Sequence, residues 1–266
     1  MIVSYNLLEA FISERLDEIA GHVNGGVVHF SDLPERLQKA ATSDVVKVAN
    51  SRVQRGGWDL ASAVAFTTDV GQCLAASSGQ LKLSSLTWQW TGSNMAAEDV
   101  NKMMRLFHVS SPWVTIGKLS ERTGATIPDP HTTLVGLMRE RNYCAHKSAH
   151  QVSNLLIRAV PHQIQVIGMG IDISISVAAH EMHIGKREFL DDSNWMSPAR
   201  IKFRFIDKRG NKWAELLEDS SRATHVNINK DLLIKNAVNT ARGKYQIVIV
   251  RDHARQVVDW IYPDLS

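Results

Sequence analysis

Apolar residues recur with two different periods along this chain, and the change of period near residue 200 limits the possible folds more than any other feature. From Ser4 to about His22, residues Leu7, Leu8, Phe11, Ile12, Leu16 and Ile19 fall at helical spacing, and Gly25 and Gly26 end the pattern. Further helices are expected at Asp32–Val53, with Pro34 near its start, at Asp59–Ser77, at Ala97–Val109 and, shorter, at Trp113–Gly124. A longer helix is expected after Pro128–His131, running from Thr132 to Val160 with the next proline at Pro161, its apolar stripe formed largely by Leu134, Leu137, Met138 and Cys144. The stretch His162–Met182 fits both periods. Ile171, Ile173, Ile175 and Val177 alternate as in a strand, whereas Ile164, Ile167, Ile171 and Ile175 recur as in a helix; the helical reading is preferred.

Beyond Leu190–Arg200 the period shortens to two. Ile201, Phe203 and Phe205 alternate with Lys202 and Arg204, and Asp207–Asn211 supplies a turn before Lys212–Leu216, which predicts a β-hairpin. Thr224–Ile228 reads as a strand, Lys230–Ala241 as a helix and Tyr245–Val250 as a buried strand. The expected fold is therefore mainly α, a helical bundle over residues 1–190, with a small C-terminal α+β domain over residues 195–266.

With 44% hydrophobic residues, 266 residues can bury a sizeable core, and a formal charge of +3 permits nucleic-acid binding without requiring it. The two cysteines, Cys73 and Cys144, have no metal-type spacing and suit a reducing compartment. No secretory pattern opens the chain and no apolar run reaches spanning length, so the expectation is a soluble, cytoplasmic protein without a membrane partner.

Within the expected long helix, Leu137–His146 reads LMRERNYCAH. Arg141 is followed directly by Asn142 and, five positions on, by His146. On a helix Asn142 and His146 nearly eclipse, whereas Arg141 and His146 lie about 140° apart around the axis, so the arginine must reach round or serve the residues of a second copy. A histidine titrates near neutrality and can move a proton to or from a ribose 2′-hydroxyl or a departing 5′-oxygen. Arginine can hold a phosphate bidentately and offset growing charge, and the amide can orient either group. The bland alternative is a solvated helix face. A bare arginine-to-histidine spacing is weak by itself, since Arg15 and His22 show a similar one within an ordinary amphipathic stripe, where a solvated arginine and a helix-end histidine are expected.

The sequence RNYCAH resembles the Arg-x4-6-His signature of the HEPN superfamily. The order and spacing of Thr91–Val109 and Leu134–His146 are similar to its RiboL-PSP-HEPN and MAE-type HEPN-like families, over about residues 1 to 190. That resemblance implies an all-helical domain, a homodimer whose signature helices meet, and metal-independent, cofactor-free endoribonuclease activity leaving a 2′,3′-cyclic phosphate. By it Arg141, Asn142 and His146 carry over as the active-site trio, and Arg139 and Lys147 become basic neighbours for RNA. Lys147 departs from the family, which often has glycine there. A toxin or antiviral defence role, with an antitoxin or defence-system partner, follows from the resemblance alone. The alternative is a non-catalytic dimerisation, nucleotide-binding or partner-binding module.

Other groups carry weaker expectations. His146 and His150, with Cys144 nearby, lack a third metal ligand of convincing spacing. His180 and His183 do not form a metalloprotease motif and read as a surface pair. Gly168 and Gly170 read as a flexible or close-packed point, and Glu140 as a solvated acid before one that pairs with a basic neighbour or tunes the site. Trp88 and Trp90 can stack on bases, though core or edge packing is the commoner use. Lys202, Arg204, Lys208, Arg209 and Lys212 on the hairpin either track a phosphate backbone or form a solvated face.

Overall fold

The protein is described by a computed structural model over residues 1–75, 81–92, 94–147 and 149–265. Helix α1 (Ile2–Asn24) buries Tyr5, Leu8, Ile12, Leu16, Ile19 and Val23, the stripe its spacing predicts, but Leu7 faces outward. Pro34 precedes α2 (Glu35–Lys39), which passes through a π-helical turn at Ala40–Asp44 into α3 (Val45–Arg55), so the expected single helix contains one wide turn. Helix α4 (Leu60–Ala75) buries Val70 and Cys73; the expected continuation through Ala76 and Ser77 lies outside the described residues. Helices α5 (Ala97–Leu106) and α6 (Pro112–Thr123) follow, and α6 ends at Gly124, whose φ of 81° suits a left-handed helix cap.

The expected long helix is two helices. Helix α7 (Pro130–His146) starts where Asp129 accepts the Thr132 N–H at 2.7 Å, and α8 (Asn154–His183) restarts behind a Ser153 cap. Between them the chain turns back at His150, whose N–H reaches the Lys147 carbonyl at 3.0 Å and whose ring reaches Glu140 at 2.8 Å. Pro161 lies inside α8 rather than beyond a helix end, near its exposed N-terminal turns. The helical reading of His162–Met182 holds, because every residue from Val166 to Ala179 is buried and this stretch runs through the centre of the molecule. Gly168 and Gly170 are close-packed points. A Cβ on Gly170 would come within 2.8 Å of the Ile116 side chain and 3.2 Å of its backbone, so α6 and α8 touch there. A short α9 (Arg187–Asp191) closes the helical part.

The hairpin is present as β1 (Lys202–Arg209) and β2 (Lys212–Leu217), turning at Gly210 with φ 60°. They are followed by β3 (His225–Asn227), α10 (Lys230–Ala241) and β4 (Gln246–Arg251) as expected, and by β5 (Val257–Ile261), which the pattern reading missed. The sheet order is β3-β2-β1-β4-β5, with β1 and β4 parallel and the other neighbours antiparallel. One face, with Phe203, Phe205, Ile247 and Ile249, belongs to the same hydrophobic core as α1 and α8; the other, with Ile206, Val248 and Val250, packs under Leu233, Ala237 and Ala241 of α10. Arg122 at the end of α6 fastens the seam. It pairs with both Glu218 oxygens, at 2.6 and 2.7 Å, and donates to the Pro198 and Ile201 carbonyls. Among the described residues no helix is long and apolar enough to cross a membrane.

His180 and His183 are a half-buried pair, not a surface one, because the His22 ring stacks on both, with centroids 6.3 and 4.2 Å away. Burial, then the fields of His183, His180 and Arg15, push the His22 pKa down to about 4, against a smaller opposing pull from Asp264. The unfolded chain, with His22 near its ordinary value of about 6.5, then binds more protons than the folded one between those two values. The stability that neutral His22 supplies is therefore full above pH about 6.5 and is lost as pH falls toward about 4. The variant His22→Phe keeps the stacked ring without the titration, so its melting temperature should fall less than wild type over that window. Equal slopes for the two proteins would refute the assignment.

Candidate functional site

The trio does not gather into one pocket of one chain. The Arg141 side chain turns inward against α1, where its Nε is buried without a hydrogen-bond partner among the described residues, and its Nη1 donates to Asn142 Oδ1 at 3.2 Å. His146, in the last turn of α7, is exposed, as are Arg139 and Lys147. Val135, Arg139, Asn142 and His146, spaced four, three and four apart, form one outward stripe of α7 on which Val135 is 38% exposed.

Tyr5 and Glu9, from one face of α1, complete the inner surroundings of Arg141, and sequence reasoning missed both. The Tyr5 hydroxyl donates to the Met95 carbonyl, and a Glu9 oxygen accepts the Met95 N–H, so the segment before α5 is pinned beside the arginine. Burial raises the Glu9 pKa, against the lowering effects of the Met95 N–H and of the Arg141 charge. Burial is also the first cause of a raised Tyr5 pKa, with Glu9 adding to it and Arg141 opposing. The guanidinium thus sits half-buried, with the Glu9 carboxylate offsetting part of its charge.

The opposite rim of α7 is structural. Glu140 is a paired acid, not a solvated one, and holds the His150 Nε2 at 2.8 Å; the His150 ring meets Tyr143 edge-on, with Lys147 over the Tyr143 ring at 4.1 Å. His150 is therefore not aligned with His146 as a ligand pair. Among the described residues no group of three His, Cys, Asp or Glu side chains is arranged to hold a metal ion.

The comparison pair behaves differently from its sequence reading. Arg15 is not a solvated arginine: its Nε meets Asp172 at 2.5 Å, its Nη2 reaches Ser176 at 3.1 Å and its Nη1 reaches Glu18. Asp172, 6% exposed in the middle of α8, also accepts the Trp260 indole N–H at 2.6 Å and the Ser176 hydroxyl at 3.0 Å. On the hairpin, Arg204 is buried against Glu215 and Gln246 and is withdrawn from any phosphate track, and Lys208 lies over Trp213.

Comparison of the chain with known protein families, with characterised proteins and with solved structures finds no match in any of the three.

The two arginines should therefore respond oppositely to truncation. Arg15→Ala strands the Asp172 carboxylate and should cost roughly 3 kcal/mol, the lower end of what breaking a buried pair costs. Arg141→Ala removes a side chain with an unpaired Nε and should cost about 1 kcal/mol or less. Urea denaturation measures both, and an order in which Arg141→Ala is the more damaging would show that Arg141 is a structural residue.

Proposed function

We propose that the protein is a metal-independent endoribonuclease of HEPN type, acting as a homodimer in which the outward stripes of two α7 helices face one another. The observation that carries this reading is the division of labour along α7: a half-buried arginine held by the neighbouring asparagine, with an accessible histidine one turn beyond that asparagine. Arg122 and Arg15 are held by carboxylates, carbonyls or a hydroxyl, whereas the Arg141 Nε has no partner among the described residues, a feature it shares with Arg52 Nε. The exposed Val135, Arg139 and His146 give a second copy a surface to cover, and two trios in one cleft would offset the angular gap between Arg141 and His146 within each helix.

In this mechanism the ribose 2′-oxygen attacks the adjacent phosphorus as its proton passes to a histidine, and the 5′-oxygen leaves with a proton. The phosphate closes to a 2′,3′-cyclic ester. Arg141 would hold the non-bridging oxygens and offset their charge, Asn142 would fix the guanidinium, and Arg139 and Lys147 would contact flanking phosphates. A toxin or defence role, controlled by an antitoxin or defence-system partner, is the biological setting that suits such an activity.

Purified protein incubated with total RNA and transfer RNA in excess chelator should cut, and a fully 2′-deoxy substrate should not be cut. His146→Ala should lower the rate roughly 10²- to 10⁴-fold, the usual worth of a proton-transfer group. Arg141→Lys keeps the charge but loses the planar fork and should also be strongly impaired. Intact RNA under all these conditions would overturn the reading in favour of a non-catalytic module, and a monomer that cuts at full rate would overturn the two-fold site.

A further inference from the structure

The strongest unassigned feature is a cleft of about 530 Å³ between the α2–α3 run and α5. Arg36, Lys39 and Lys47 line one side of it, and Lys102 and Arg105 line the other. Its two carboxylates are engaged already: Asp44 holds Lys47 at 2.9 Å, and Asp99 accepts the Ala96 N–H at 2.8 Å. Among the described residues Arg36, Lys39, Lys102 and Arg105 are in no ion pair. Four such cations around a concave surface with low-dielectric walls focus a positive field into it.

A second observation is independent of charge. Thr87 and Trp88 both line this cleft, are 4% and 2% exposed, and leave the Thr87 Oγ1 and the Trp88 Nε1 without a hydrogen-bond partner among the described residues. The indole N–H can only donate, so what it lacks is an acceptor. The wall beside them is the π-helical turn Ala40–Asp44, a geometry found often at functional sites.

The cleft does not stand alone. Trp90 lines it and also lines a second cleft of about 460 Å³, which Arg52, Arg55, Trp58 and Glu9 share. Glu9 is the carboxylate on which the Arg141 charge acts. The two clefts thus share Trp90, and the second brings further cations, a second tryptophan and Glu9, the neighbour of the candidate active site. This combination suits an extended single strand, whose phosphates need charge and whose bases need stacking surfaces, better than it suits one enclosed small anion.

We propose that the two clefts form one track for single-stranded RNA, with phosphates on Arg36, Lys39, Lys102 and Arg105, a base against Trp90, and the strand continuing past Glu9 toward Arg141. The direction of the strand's chemistry rests on the ribonuclease reading; the binding itself does not. Binding of a short fluorescent 2′-O-methyl oligoribonucleotide, which has no free 2′-hydroxyl for attack, is followed by anisotropy in chelator across a salt series. Lys102 and Arg105 are exposed, so Lys102→Ala/Arg105→Ala should fold. It should lose roughly tenfold in affinity, and the slope of log K against log salt should shrink by about 1.4, or about 0.7 for each lost single-strand phosphate contact. The control Lys235→Ala/Lys244→Ala, in the C-terminal unit, should match wild type.

An unchanged affinity and slope in the Lys102/Arg105 variant, an equal loss in the control, or no binding by wild type would each overturn the track. Displacement of the oligonucleotide by a mononucleotide at the same concentration would replace it with a small-ligand pocket. Oligonucleotide binding that responds as expected, with RNA left uncut, would sustain the track and refute the ribonuclease reading.

Discussion

The structure depends on burying one helix from every side. From Val166 to Ala179 no residue of α8 is exposed, so α1 and α6 and the C-terminal sheet must all wrap it. That run contains Asp172, Ser174 and Ser176, and a buried polar group is tolerated where its hydrogen bonds are met. Ser174 returns to the Gly170 carbonyl at 2.7 Å, while Asp172 takes Arg15 from α1, Trp260 from β5 and Ser176 from its own helix. A single carboxylate therefore ties the first helix, the central helix and the last strand together. The C-terminal unit is not hung on a linker; it supplies part of the core and one of the partners of that carboxylate.

The elements that were legible in the sequence are those whose burial follows from local period. The stripe of α1, the hairpin with its Gly210 turn and the helix α10 all appear within a few residues of where spacing puts them. Those that were not depend on distant partners. The break after His146 contains neither glycine nor proline, and it is held by His150 folding back on Glu140 and Tyr143. β5 follows a charged turn, and its residues Val258 and Asp259 are exposed, so no clean alternation marks it. Arg15 looked solvated because its partner Asp172 lies 157 positions away.

The candidate site was half legible for the same reason. Arg141, Asn142 and His146 could be picked out by type and spacing, but the inward turn of the arginine onto Tyr5 and Glu9 needs α1, and no local pattern couples residues 5 and 9 to residue 141. Trp88 belongs to the core, stacked on Phe107 at 5.0 Å, as the commoner use of such residues suggests, while Trp90 stands between two clefts. The basic hairpin lost Arg204 to a buried pair, and the basic cleft lies instead within the helical part.

If the chemistry proposed for Arg141 and His146 is right, the internal 2′-hydroxyl is the nucleophile and no water enters the first step. The most direct test is the end left on the upstream RNA fragment, read by mass spectrometry immediately after cleavage. A 2′,3′-cyclic phosphate, absent from the products of His146→Ala, is the expected result. A 3′-hydroxyl on the upstream fragment with a 5′-phosphate on the downstream one would contradict the account.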